Sequence, residues 1–212
     1  SMIGARSCVG KSMLSDNLAK HLAELDIPVL YLDTEMADED HWYRLAANYS
    51  DVTINEIESG RCGNNHSERE RVIEALGKIE QLPIDYINIS GIPFEESLAI
   101  IRRWIHKNVG FEDDGRTKDC MIIYDYVKLM NGEDLKIGVQ EYQVLGFMMT
   151  SLHNLAVRND VPIFTMIQLN RDGIDKETAD VVAGSDRVMW LTTNFSIFKP
   201  KSDEELQASD PK

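Results

Sequence analysis

Ala5-Arg6-Ser7-Cys8-Val9-Gly10-Lys11-Ser12 lies between a short apolar start and leucines at helical spacing, Leu14, Leu18, Leu22 and Leu25. A strand that turns through Gly-Lys-Ser into a helix is the pattern of a phosphate-binding loop. Its chemistry needs backbone N–H groups curled around a β-phosphate, with the helix N-terminus adding partial positive charge. Gly10 permits the close approach, Lys11 reaches the β- and γ-phosphates, and Ser12 offers a hydroxyl to Mg²⁺. Ala5 stands where the first glycine of the pattern normally sits, and Gly4 is one residue too early to fill that slot. The relaxed pattern arises by chance in roughly one to two per cent of chains this long. Its place between a strand and a helix makes an ordinary glycine turn with an exposed lysine the weaker reading.

Outward from this loop, apolar runs of strand length alternate with helical patterns. Val29 to Leu32, Ile84 to Ile89, Met121 to Tyr124 and Ile163 to Ile167 are short and nearly continuous, as in strands buried on both faces of a parallel sheet. Phe94, Leu98, Ile101, Ile105 and Val109 mark one helix, and Tyr142, Leu145, Met149, Leu152 and Leu155 another. Two more are expected over Asp38 to Asn48 and Glu68 to Glu80, and Thr53-Ile54-Asn55-Glu56 has the form of a capping box. The alternation predicts an α/β domain with a mainly parallel central sheet flanked by helices. Near the end, Val188 to Leu191 and Phe195 to Phe198 read as two strands joined tightly, with an antiparallel pairing in view. Gly60 to Ser67, Glu112 to Lys118 and Ser202 to Lys212 read as polar loops or a frayed end.

Carboxylates fall at strand ends. Met121-Ile122-Ile123-Tyr124-Asp125 puts Asp125 at the C-terminal edge of a buried strand, where it can hold Mg²⁺ through water. The next residue is Tyr126 where many ATPases keep a water-activating glutamate, so the base must come from elsewhere. Leu32-Asp33-Thr34-Glu35-Met36 supplies Glu35 just past another strand, with Asp33 as its rival and a solvated loop carboxylate as the plain alternative. Gln168 ends the strand Ile163 to Ile167, and an amide there can bond a γ-phosphate and lose that bond on hydrolysis.

Bulk properties narrow the partners. The 212 residues fit one domain, 43% apolar content is enough for a core, and no apolar run approaches a bilayer span. A soluble, intracellular protein in a cytosol-like compartment is expected. Cys8, Cys62 and Cys120 are odd in number and without a CxxC pair, which disfavours disulfides and zinc. Cys8 reads as a small passive side chain within the loop. The histidines His21, His41, His66, His106 and His153 lack ligand spacing and read as surface or helix positions. Arg102, Arg103 and Lys107 read as a solvated helix face, and Met130, Met148, Met149 and Met166 as core. A net charge of −14 argues against a broad nucleic-acid-coating face; contact would have to come from narrow loops or converging subunits.

Together these residues resemble the RecA-type motor domain of the DnaB replicative DNA helicases, including phage relatives. The phosphate loop resembles that family's Ala-Arg-Pro-x-x-Gly-Lys-Ser/Thr with Ser7 in place of proline, and Leu32 to Met36 resembles its second motif, whose glutamate would be Glu35. Ile123-Tyr124-Asp125-Tyr126-Val127-Lys128-Leu129-Met130 resembles the segment Ile-Asp-Tyr-Leu-Gln-Leu-Met, which accounts for Tyr126, and Gln168-Leu169-Asn170-Arg171 matches the third motif. The resemblance runs from Ile3 to about Leu191. It implies a RecA-like P-loop NTPase fold and Mg-ATP hydrolysis coupled to movement on single-stranded DNA. Loop residues Ala5 to Ser12 would hold nucleotide, Ser12 and Asp125 the metal, and Lys11, Glu35 and Gln168 would do the chemistry. It also implies a hexameric ring with primase and a helicase loader as partners.

Departures from the family pattern are equally specific. The DNA-facing loop Asp-Leu-Arg-Glu-Ser-Gly-Ser has its nearest match in Asp180-Val181-Val182-Ala183-Gly184-Ser185, one residue shorter and without the arginine. Arg171, Lys176 and Arg187 are the available DNA-binding cations, each competing with a plain surface role. The expected organisation is one domain over 1–212 from a longer protein, without the family's helical N-terminal domain or the late strand that offers a lysine and an arginine to a neighbour. Lys199 and Lys201 are the nearest cations. Competing readings are a RecA- or KaiC-like ring or filament ATPase without unwinding, a P-loop small-molecule kinase, which would need an arginine-rich lid not evident here, and a non-hydrolysing scaffold.

Overall fold

Val29–Asp33 (β2) is buried along its whole length because its alternate side chains enter two different cores. Leu30 and Leu32 face one helical layer, while Val29 and Tyr31 face the other. This two-sided burial, read in the computed structural model, is what a near-continuous apolar strand demands. The structure describes residues 1–128, 141–169, 191–202 and 205–206.

The other strands are β1 (Met2–Ala5), β3 (Ile84–Asn88), β4 (Met121–Asp125), β5 (Ile163–Gln168) and β6 (Phe195–Phe198). They form one sheet in the order β3-β2-β4-β5-β1-β6, and every described pairing within it is parallel. Helices α1 (Lys11–Ala23), α2 (Asp38–Ser50) and α4 (His66–Ile79) cover one face. On the opposite face lie α5 (Phe94–Trp104), continued by a π-helical turn Ile105–Val109, and α6 (Glu141–Asn159). Between α2 and α4 sit the short α3 (Ile54–Glu58) and a 3₁₀ turn, Arg61–Asn64. The expected α/β architecture with a mainly parallel sheet is the one observed.

Local chemistry explains several boundaries. Thr53 Oγ1 accepts the Glu56 amide while Glu56 Oε2 accepts the Thr53 amide, so the capping box opens α3 as expected. Phe94, Leu98, Ile101 and Ile105 are buried at their spacing, as are Leu145, Met148, Met149, Leu152 and Leu155 on α6. Met166 is buried too, and Met130 lies outside the described residues. Arg102, Arg103 and Lys107 are exposed, as a solvated face requires.

The structure corrects the expected reach of α1 and adds to two other expectations. Leu25 is 57% exposed because α1 ends at Ala23, and the side of α1 turned inward is Ser15, Asp16, Ala19 and Ala23. His41 is 1% exposed, enclosed between α2 and the sheet, whereas the other four histidines lie at the surface. The C-terminal strand β6 pairs parallel to β1, with Met2 opposite Phe195 and Ala5 opposite Phe198. Leu191 is in a turn, and 188–190, the rest of the expected hairpin strand, fall outside the described residues. Beside β1, Phe195 and Ile197 pack against the α5–α6 core.

Candidate nucleotide site

Parallel strands put their C-terminal ends along one edge, and the polar ends foreseen in the sequence meet there. Asp33 is opposite Asp125 in the β2–β4 register, and Ala5 is opposite Gln168 in the β1–β5 register. The Thr34 amide donates to the Asp125 carbonyl, and the Leu169 amide donates to the Ala5 carbonyl. The loops that leave these strands are thereby tied to one another.

The loop after β1 turns on two residues with left-handed backbone, Cys8 at φ 61° and Gly10 at φ 100°. The second suits glycine because a Cβ is strained there. Gly4 has a different reason. An added Cβ would lie 2.8 Å from Leu169 Cδ2 and 3.0 Å from Phe195 Cζ, so its absence lets β5 and β6 close on β1. Lys11 begins α1, and its Nζ donates to the Arg6 carbonyl at 2.9 Å. Partial burial lowers the Lys11 pKa, opposed by the charges of Asp125 and Glu35. A cavity of about 270 Å³ opens over the loop, lined by Cys8, Gly10, Lys11, Ser12, Glu35, Arg44, Tyr126 and Gln168 among others.

Asp125 is 2% exposed. Its Oδ2 accepts the Tyr31 hydroxyl at 2.7 Å, while its Oδ1 is buried with no hydrogen-bond partner among the described residues. Burial pushes its pKa up, against hydrogen bonds from Tyr31 and Ser12. A buried carboxylate oxygen left unpaired beside a serine hydroxyl is a costly arrangement unless a cation or its water completes it. That donor set fits Mg²⁺, which keeps most of its waters and takes few protein oxygens.

Asp33 and Glu35, the two rivals for a base, are placed very differently. Asp33 is buried and committed: Oδ1 accepts the Glu35 and Met36 amides at 2.6 and 2.7 Å, and Oδ2 meets His41 Nε2 at 3.1 Å. Glu35 faces the cavity, and its Oε1 accepts the Tyr126 hydroxyl and Lys128 Nζ, each at 3.0 Å. Lys11, Ser12, Glu35, Asp125 and Gln168 are thus brought to one sheet edge. Arg171, Lys176 and Arg187 lie outside the described residues.

Sequence reading passed over Arg44, which lines the cavity and donates from Nη1 to Asp16 Oδ2 at 3.0 Å. A cation two turns into the helix that leads out of the Glu35 turn was a usable signal. It also passed over Lys128, whose partner is ninety-three positions away in sequence. No pattern within either segment announces that pair.

The sequence profile of the DnaB-like helicase C-terminal domain matches residues 1–181. The chain belongs to that family. A replicative DNA helicase DnaB of Helicobacter pylori is 24% identical to this DnaB-like domain over 172 residues, which cover 80% of this chain and 32% of the relative. The chain therefore spans about a third of that protein's length. One solved ATPase domain superposes with a TM-score of 0.79 at 18% identity, covering 92% of this chain and 67% of the other. A DnaB-like replicative helicase described with its primase interactions gives the same TM-score and identity, over 100% of this chain and 49% of that one. These likenesses give the DnaB-like domain a RecA-like ATPase fold.

Proposed function

We propose that this domain is the ATP-hydrolysing motor of a replicative DNA helicase, coupling Mg-ATP turnover to movement on single-stranded DNA. The observation that carries the reading is the convergence of Lys11, Ser12, Glu35, Arg44, Tyr126 and Gln168 on one cavity at the end of a parallel sheet. Family membership points the same way.

In this reading the loop Ala5 to Ser12 wraps the phosphates with backbone amides, and Lys11 exchanges its bond to the Arg6 carbonyl for the β- and γ-phosphates. Ser12 and Asp125 would hold Mg²⁺, which supplies charge neutralisation across the β- and γ-phosphates. Glu35 is the base: it accepts a proton as water attacks the γ-phosphorus, the bond to the β-phosphate oxygen breaks, and ADP leaves with that electron pair. Asp33 is the poorer candidate because its oxygens already hold the Glu35 turn and His41. Tyr126 and Lys128 orient the Glu35 carboxylate before nucleotide arrives. Gln168, an exposed strand end beside Ala5, is suited to sense the γ-phosphate. Arg171, Lys176 and Arg187 are the proposed DNA contacts, in a hexameric ring served by primase and a loader. Among the described residues no helix is long and apolar enough to cross a membrane. We place the protein in the cytoplasm, bacterial or host.

The test is ATP hydrolysis by the full-length protein with and without single-stranded DNA, alongside Glu35→Gln. Strong stimulation by DNA is expected, with Glu35→Gln lowering turnover roughly 10²-fold or more while nucleotide still binds. Unstimulated turnover would favour a ring ATPase that does not unwind or a kinase, and normal turnover in Glu35→Gln would remove Glu35 as the base.

A further inference from the structure

Behind the phosphate loop lies a buried charged chain that the reaction as described does not use. Asp16 is on the inner side of α1, His41 on α2, and Asp33 at the end of β2. Their exposures are 5%, 1% and 3%. Asp16 Oδ1 is 2.7 Å from His41 Nδ1, and His41 Nε2 is 3.1 Å from Asp33 Oδ2. Asp33 Oδ1 accepts the amides of Glu35 and Met36, and Asp16 Oδ2 takes Arg44. The His41 ring stacks on Tyr86 with centroids 4.4 Å apart and leans on Tyr31 at 4.6 Å.

Two carboxylates facing the two nitrogens of one buried imidazole select the doubly protonated ring, because a neutral ring can donate from only one of them. Burying such ions costs several kcal/mol each, and well-packed apolar side chains of similar volume often serve a core equally well or better. Packing alone therefore does not account for the arrangement. What it achieves is directional. It runs from the helix that begins at Lys11, through the ring, to the carboxylate that fixes the backbone of Glu35, and its branch at Asp16 also holds Arg44. Lys11, Glu35 and Arg44 line the same cavity.

We propose that Asp16 and His41 are positioning residues for ATP hydrolysis, a strut that couples the phosphate-loop helix to the Glu35 turn through Asp33. The inference rests on the motor reading above. Neither Asp16 nor His41 lines the cavity over the loop. The strut sets where Glu35 and Arg44 stand relative to Lys11, and an ångström of misplacement in such a site costs about 10²-fold in rate. Burial alone would lower the His41 pKa, but hydrogen bonds and charge from Asp16 and Asp33 hold it at about 9.

The experiment uses the full-length protein and three variants: Asp16→Leu/His41→Leu, His41→Gln and His41→Asn. The double leucine variant removes both charges and refills the space. A glutamine amide can reproduce the Nε2 donor toward Asp33, and an asparagine amide the Nδ1 donor toward Asp16. Nucleotide affinity is read with a fluorescent ATP analogue, turnover by phosphate release, and folding by thermal melting. Hydrogen exchange of the Glu35 and Met36 amides reports the turn directly. The expected result is a cooperative melt and nucleotide affinity within about threefold of the parent in all three. Turnover should fall about tenfold or more in the double leucine and asparagine variants, with faster exchange at Glu35 and Met36, while His41→Gln keeps most of both. Parent-like turnover and exchange in a folded double leucine variant would overturn the proposal. So would equal losses in His41→Gln and His41→Asn that follow their melting temperatures, since that is plain packing. Failure of the unaltered protein to hydrolyse ATP would instead count against the motor reading, and the exchange data would still decide the strut.

Discussion

Stability should fall on the alkaline side because of one buried histidine. His41 has an ordinary pKa of 6.5 and is held at about 9 in the fold by Asp16 and Asp33, which overcome the cost of burial. A group whose folded pKa is raised contributes stability in full below its unfolded value and loses it as pH climbs through the folded value. Its window therefore runs from about pH 6.5 to about pH 9. Each pH unit between those two values is worth about 1.4 kcal/mol, so the contribution is on the order of 3 kcal/mol near pH 6 and about half that near pH 8. By about pH 10 it is close to nothing. In a domain of this size a loss of about 3 kcal/mol corresponds to roughly 6–12 °C in melting temperature.

Other groups titrate over the same range, so the measurement is a difference. Urea unfolding of the parent and of Asp16→Leu/His41→Leu is followed at intervals between about pH 6 and pH 10. Their absolute stabilities can rank either way, since apolar replacement of a buried ion set is often neutral or stabilising. The gap between them should shift against the parent by on the order of 3 kcal/mol as pH rises. Parallel curves across the range would refute the reasoning. They would mean that His41 is neutral in the fold and that one of its two carboxylate contacts is not a hydrogen bond.

Gly4→Ala should cost about 1–3 kcal/mol, the usual range for overpacking, because the new Cβ meets Leu169 Cδ2 at 2.8 Å and Phe195 Cζ at 3.0 Å. An unchanged melting curve would show that β5 and β6 do not close on β1 as described. Arg171→Ala and Lys176→Ala should each lower the slope of DNA affinity against log salt by about one, with binding that requires assembly. Tight binding of single strands by a proven monomer would contradict both expectations.

The strands were legible because burial on both faces leaves no polar alternation to hide them; Val29 to Leu32 and Met121 to Tyr124 are apolar for that reason. The phosphate loop was legible because it is local: strand, turn and helix are consecutive, and the glycine sits where φ is positive. Asp125 and Gln168 followed from the rule that parallel strands gather their C-terminal ends. What escaped is long-range. His41 gives no local sign of burial, since Asp16 and Asp33 come from other elements and only the packed fold supplies the charges that make an internal histidine tolerable. Leu25 misled for the opposite reason. It continues the leucine spacing of α1, but Leu25 and Asp26 donate back to Leu22 and Ala23 and close the helix before it. The pairing of β6 with β1 was equally hidden, because a strand of four residues carries no mark of its neighbour.

Charge is distributed unevenly between the site and the surface. At the sheet edge the carboxylates of Asp16, Asp33, Glu35 and Asp125 stand against Lys11, Arg44, Lys128 and a protonated His41, a near-balanced set. The net charge of −14 is therefore carried elsewhere. Part of it sits on mostly exposed stretches such as Asp51 to Glu58, with three carboxylates and no cation, and Glu112 to Asp119, with four carboxylates against two cations. A polyanion approaching those surfaces is repelled over about a Debye length, roughly 8 Å at physiological salt. The same repulsion is offset within a small cavity whose own cations are close by, which suits a nucleotide better than a strand of DNA lying across the domain. In the proposed motor, DNA contact would then rest on single cations, and Arg171 and Lys176 follow Gln168 in sequence among the carboxylates Asp172, Asp175, Glu177 and Asp180. If Gln168 senses the γ-phosphate as proposed, coupling to DNA should be sought first in the residues that follow it.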